Sequence, residues 1–180
     1  DFRHFAKTYH AYMSALILVW ASENYVENQL SRLFLKKLSA PETNQMMNQL
    51  NIPLEDNFYK KEELDLLNCK DLVKHVEEYQ WINSRYGKID PYTIDQVKDK
   101  LKNINKKEFM EKYHKEKETI KNTIQKAKKI IGQENSNIID LMQYIIYYRT
   151  QRTDIINKAS YFYAPKLSKL AEEKKLTYQV

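Results

Sequence analysis

Two glycines and four prolines in 180 residues leave little turn chemistry in this chain. Sheet-rich folds place turn residues every ten or so positions, so this scarcity excludes them and points to long helices. Two isolated glycines also exclude a Gly-rich phosphate loop. The single cysteine, Cys69, excludes an intrachain disulfide and a cysteine zinc cluster, and it argues for a reducing, cytoplasmic setting. Among His4, His10, His75 and His114, no His-x-x-x-His or Glu-x-x-His pair is read as marking a metal helix, so no metal set is expected. No serine, and not Cys69, shows a neighbouring histidine arrangement that would make it a nucleophile, so no catalytic residue is assigned. The longest apolar run, Ala11 to Ala21, is too short to span a bilayer and is interrupted by Ser14. No signal peptide is evident. The chain starts at Asp1 rather than Met and reads as a piece of a longer protein.

Charge is plentiful and concentrated. The formal net charge is +6, and Val97 to Lys129 alone holds twelve lysines against five acids. Lysine outnumbers arginine 25 to 5, the composition of a solvated helix face. A nucleic-acid footprint would also interleave aromatics or glycine with the basic residues. Here only Phe109 and Tyr113 interrupt them, both on apolar positions. Nucleic acid is therefore the weakest partner class, and a steep salt dependence of binding would be its signature.

Taken in order, the chain predicts six to eight helices. Phe2 to Leu38 carries an apolar seam at 3, 4 spacing: Phe2, Phe5, Tyr9, Tyr12, Leu16, Val19, Glu23, Val26, Leu30, Leu33. Ser39-Ala-Pro-Glu42 is a capping box for a helix to about Leu50. A short helix is expected from Glu62 to Leu67. Asn68 is expected to cap Cys69 to Tyr86, with Leu72, His75, Val76, Tyr79 and Ile82 on one face and Gly87 closing it. Gly87 to Tyr92 is the clearest loop. Thr93-Ile-Asp-Gln96 is a second capping box, for a helix to about Asn103. Asn105 caps Lys106 to Ile131, whose seam is Met110, Tyr113, Lys117, Ile120, Ile124, Ala127 and Ile131. Gly132 to Ser136 turns the chain into a last long helix, making an antiparallel hairpin. Pro165 is expected to kink or interrupt that helix before a final amphipathic piece to about Lys175. The fold class is all-α: an elongated multi-helix bundle with long first and last helices. We read it as one domain, 1–180, with a sub-division into 1–87 and 93–180 around the Gly87–Tyr92 loop as the alternative.

The last helix carries the sharpest functional signal. Heptad-like counting from Ile138 gives Ile138, Met142, Ile145, Arg149, Arg152, Ile156, Ala159 and Tyr163 on one face. A guanidinium stays charged at any workable pH. Unpaired on a buried face, it would cost several kcal/mol. Glu23, the one acid on the first helix's seam, is the expected partner, and Glu27 one turn on is the second candidate. Arg149, Arg152, Glu23 and Glu27 thus form a candidate ion-pair network. Alternatively, one arginine is left to meet an anion. His75, Tyr79, Trp81 and Tyr148 are the candidate pocket wall, although a buried, satisfied His75 and a rim of tyrosine hydroxyls explain the same residues.

Two segments also resemble a known family. His75 to Tyr86, HVEEYQWINSRY, is similar to a "His … Tyr-x-Trp-Ile … Tyr" pattern. Tyr148 to Lys175, YRTQRTDIINKASYFYAPKLSKLAEEKK, is similar to "Tyr-x-Arg-Thr-x-Arg … Ala-x-Tyr … Pro-x-Leu … Ile-Ala-x-x-Leu". Both resemble the helical middle region of phosphoenolpyruvate-utilising enzymes, of the phosphoenolpyruvate synthase, pyruvate phosphate dikinase and rifampicin phosphotransferase type. The resemblance implies a modular parent using ATP and Mg, with this chain as the helical linker or acceptor-binding region. Its partners would be a flanking ATP-grasp domain and a swivelling histidine domain. The chain lacks the Thr-x-x-Gly-Gly-x-x-x-His stretch and an ATP-grasp glycine loop, so no cofactor is expected on this piece. The alternative is a helical protein-interaction module unrelated to phosphotransfer.

Overall fold

A computed structural model describes the backbone of residues 2–85 and 88–175; the side chains of 2–6, 8–10, 12, 13, 15 and 16 lie outside the description. The described residues form an all-α multi-helix bundle. Its elements are α1 (Phe2–Leu35), α2 (Ala40–Leu50), α3 (Phe58–Asn68), α4 (Leu72–Tyr79), α5 (Ile94–Asn103), α6 (Lys106–Ile131), a 3-10 turn (Gln133–Asn135) and α7 (Asn137–Glu173).

The chain divides into two compact units, each discontinuous in sequence: Asp1–Glu55 with Tyr113–Arg149, and Asp56–Lys112 with Thr150–Val180. Residues 88–92 of the Gly87–Tyr92 loop fall inside the second unit, and the divisions pass through α6 and α7. A loop marks a boundary only if few contacts cross it. Here Ser84 Oγ donates to the Asp90 carbonyl and accepts from its N–H, and the Tyr92 N–H donates to the Gln80 carbonyl, so the loop is stitched to its own unit.

In the first unit, Val26, Leu30 and Phe34 of α1 pack with Met46 and Leu50 of α2, Ala127 and Ile131 of α6, and Ile139, Met142, Ile145 and Ile146 of α7. Burying each such large side chain contributes about 1.5–3 kcal/mol. The expected helix hairpin forms. Gly132 at φ +89 makes the reversal, a conformation that strains any residue with a Cβ. The Glu42 carboxylate accepts from both the Ser39 N–H (2.9 Å) and the Ser39 hydroxyl (2.6 Å) at the start of α2. The N-terminal part of the α1 seam, Phe2 to Leu16, lies outside the described side chains.

In the second unit, α3, α4 and α5 gather Leu66, Tyr79, Ile82, Tyr92 and Val97 into a smaller core. Three boundaries differ from expectation. α3 starts earlier, because Asn57 Oδ1 accepts from the Lys60 N–H and caps it. α4 is capped by Asp71 rather than Asn68, since Asp71 Oδ1 accepts from the N–H groups of Val73 and Lys74. α4 also ends at Tyr79, where 3-10-type turns take over; the expected close at Gly87 lies outside the described residues. α7 runs through Pro165 to Glu173 without interruption, so of the two expectations, a kink or an interruption, the interruption does not occur. A proline inside a helix removes one N–H donor but leaves its own φ helical, so a helix supported on both sides can continue.

Candidate functional site

The seams of α1 and α7 meet in the first unit as charge. Arg149 Nη1 donates to Glu23 Oε1. The Glu23 side chain is 12% exposed and that of Arg149 40%, so the pair sits at the rim of the core rather than within it. Glu27, one turn on, lines a separate polar groove with Asn28, Ser31, Asn44, Met47, Asn48 and Asn51. Arg152 belongs to the second unit and is half-buried there.

The heptad count on α7 holds through Ile145 and then departs. Ala159 and Tyr163 are exposed. The observed buried line is Ile139, Ile146, Asp154, Asn157, Ala164 and Ala171, with half-buried Thr150, Tyr161 and Ser168 in step. From Thr150 the line keeps the same 4, 3 spacing but is displaced by one to two positions, so the phase differs and not the period; the shift coincides with the point where α7 passes from the first unit to the second. The inner face was hidden from the apolar pattern because its middle is polar.

A groove of about 660 Å³ lies in the first unit, between α6 (Lys121, Ile124, Gln125, Lys128) and α7 (Asp140, Gln143, Tyr144, Tyr147), with Leu54 and Glu55 forming one wall. That wall is pinned. Gln143 Nε2 donates to the Leu50 carbonyl (2.7 Å), and the Leu54 N–H donates to Gln143 Oε1 (2.9 Å). Lys117 Nζ donates to the Leu54 carbonyl, which explains a lysine on the α6 seam. Lys128 reaches Asp140 at 2.6 Å. The Tyr144 and Tyr148 hydroxyls bond to each other at 2.8 Å, with ring centroids 4.4 Å apart.

The second unit is organised around Glu62, which is 1% exposed. Its Oε1 accepts from the Tyr92 hydroxyl (2.9 Å) and lies 3.1 Å from His75 Nε2, where a ring N–H donates to it. Its Oε2 accepts from Lys100 Nζ. One carboxylate thus holds α3, α4, α5 and the 80–92 segment. Burial and the Glu62 charge push the Tyr92 hydroxyl well above the ordinary tyrosine range. Tyr79 is raised likewise, by burial and by donating to Asp65. His75 lies 6% exposed, its ring 4.9 Å from that of Tyr79. Trp81, 1% exposed, meets Phe58 edge-on at 5.3 Å, with Lys158 Nζ 5.5 Å above it. Of the expected pocket wall, His75, Tyr79 and Trp81 are therefore core residues of the second unit. Tyr148 belongs to the first unit, where it is exposed.

Sequence reasoning passed over Glu62, Lys100, Tyr92 and Asp154. Glu62 stands four residues before Leu66 and shares its buried face, an available signal. Asp154, 3% exposed, accepts from the Phe58 N–H at the start of α3, and burial raises its carboxyl above the usual range. Its Oδ2, Trp81 Nε1 and Gln151 Nε2 are buried without a hydrogen-bond partner.

These arrangements can position and bind, but none pairs a nucleophile with a base beside a cavity. Glu111 and His114 have Glu-x-x-His spacing on α6, yet both are exposed, and no group of three metal-ligating side chains occurs among the described residues. Among them, no helix is long and apolar enough to cross a membrane. Comparison with protein-family models, with curated proteins and with solved structures gives no match.

Proposed function

We propose that this chain is a helical linker or acceptor-binding region of a phosphoenolpyruvate-utilising phosphotransferase, acting in the cytoplasm. It carries neither the ATP-grasp nor the phosphohistidine domain. ATP and Mg would act in the parent enzyme, and the partners of this region would be those two flanking domains. One observation supports this reading. The two segments that resemble the family, distant in sequence, pack together in the second unit: the Tyr161 hydroxyl donates to Gln80 Oε1 (3.0 Å), and Lys158 covers Trp81. A shared pattern is better explained by a common fold if its two halves touch than if they are scattered. The test is the reading frame around these residues. It should continue into a glycine-rich ATP-grasp sequence and a Thr-x-x-Gly-Gly-x-x-x-His stretch, and the isolated chain should hydrolyse no ATP. A frame without either domain, or ATP turnover by the isolated chain, sinks the proposal.

The second reading is a helical protein-interaction module unrelated to phosphotransfer. It is favoured by the exposure of Ile17 (61%), Leu18 (68%), Trp20 (51%) and Tyr25 (64%) along α1. Clustered exposed apolar side chains of this size mark contact surfaces. Here the frame would lack both phosphotransfer domains, and Leu18→Ser with Trp20→Ser would raise solubility and abolish partner capture.

A further inference from the structure

We propose that the groove between α6 and α7 in the first unit is a binding site for a neutral aromatic small molecule. This does not depend on the phosphotransfer reading. Its volume of about 660 Å³ is within the range of ligand sites, whose linings are mostly apolar with few polar groups. Ile124 and Leu54 supply aliphatic surface, and Tyr144 and Tyr147 supply aromatic surface. The polar groups around it are largely engaged. Gln143 spends both ends of its amide on Leu50 and Leu54, and the Tyr144 hydroxyl is bonded to Tyr148. Bound this way, Tyr144 offers its ring rather than its hydroxyl. Four charges stand on the lips, and their formal sum is zero: Lys128 is paired with Asp140, and the other two, Lys121 and Glu55, are of opposite sign. An ionic occupant would find no net countercharge to offset its desolvation. The wall at residues 50–54 is held by three hydrogen bonds, so the site is formed before a ligand arrives, which lowers the ordering cost of binding.

The test compares two fluorescent probes with one ring system, neutral N-phenyl-1-naphthylamine and its anionic 8-sulfonate, titrated into the intact chain. The neutral probe should bind saturably at one site and more tightly than the sulfonate. Tyr144→Ala, at an exposed position that leaves the core intact, should weaken it about tenfold, the factor that ~1.4 kcal/mol of lost contact corresponds to. Ile124→Gln should weaken it further, and Trp20→Ser on α1 should leave it unchanged. The proposal is overturned if neither probe saturates, if the sulfonate binds as well as the neutral probe, or if Trp20→Ser rather than Tyr144→Ala removes binding. That last result would assign the probe to the exposed face of α1.

Discussion

Arg149 and Glu23 are joined by a charge-assisted hydrogen bond that links α7 to α1 at the edge of the first unit's core. Their unequal exposure decides its worth. The guanidinium is partly in water, so solvent screens the attraction and the pair contributes about 1 kcal/mol or less. Glu23→Gln should lower the stability of the first unit by that amount in urea titrations at low salt, and the difference should shrink in 1 M salt. A loss several times larger would mean that the pair is desolvated and central.

Glu62 should behave very differently. Removing a buried carboxylate that three donors share strands His75, Tyr92 and Lys100, a cost on the order of 3–5 kcal/mol. In a Trp20→Phe background, Trp81 is the remaining tryptophan and reports on the second unit. Glu62→Ala should red-shift its emission or bring its urea midpoint close to zero. Glu62→Gln, which keeps an acceptor for Tyr92, should cost less. Equal, small effects of both would show that the network is dispensable.

Tyr79 and Tyr92 set an alkaline limit. Both phenols titrate above the ordinary range in the folded chain, so the native state holds its protons where the unfolded chain, near pH 10, releases them. Their stabilising contribution is whole below about pH 10 and is lost as pH rises through the folded values. Absorbance titration at 295 nm should show a group of tyrosines, Tyr79 and Tyr92 among them, that ionise only with unfolding. Tyr79→Phe should shrink that late group by one phenol; an unchanged late amplitude would contradict the assignment.

Asp154 works in the same direction at acid pH. Burial raises its carboxyl, so the contribution is complete below the unfolded value near 3.9 and fades as pH rises through the folded one. Its charge at neutral pH is then a burden on the second unit. Asp154→Asn retains an oxygen to accept from the Phe58 N–H. It should leave stability at pH 7 unchanged or up to about 1 kcal/mol higher, with no gain at pH 3.5. A destabilisation of several kcal/mol at pH 7, measured by Trp81 emission, would show that the ionised carboxylate is needed.

Helix identity was legible along most of the chain because period and caps are local. The seam of α6 follows the observed burial position by position, and its bounds match the expectation set by Asn105 and Gly132. The boundaries of α3 and α4 were misplaced where several Asn and Asp residues compete as caps. Sequence alone does not say which of Asn57, Asn68 and Asp71 has free N–H groups in front of it.

The residues by themselves determined that this protein is helical, that α6 and α7 form a hairpin, and that an acid on the first helix's seam should meet an arginine of the last, with the choice between Arg149 and Arg152 left open. Each follows from short-range periodicity and from the cost of leaving a charge unpaired. Only the tertiary structure decided which units the helices build and where the polar core lies. Glu62, His75, Tyr92 and Lys100 come from four separate segments, and the inner face of α7 turns polar in its middle, at Asp154 and Asn157. A buried polar group is stable only when distant partners reach it, and that meeting is a property of packing, invisible to any local pattern.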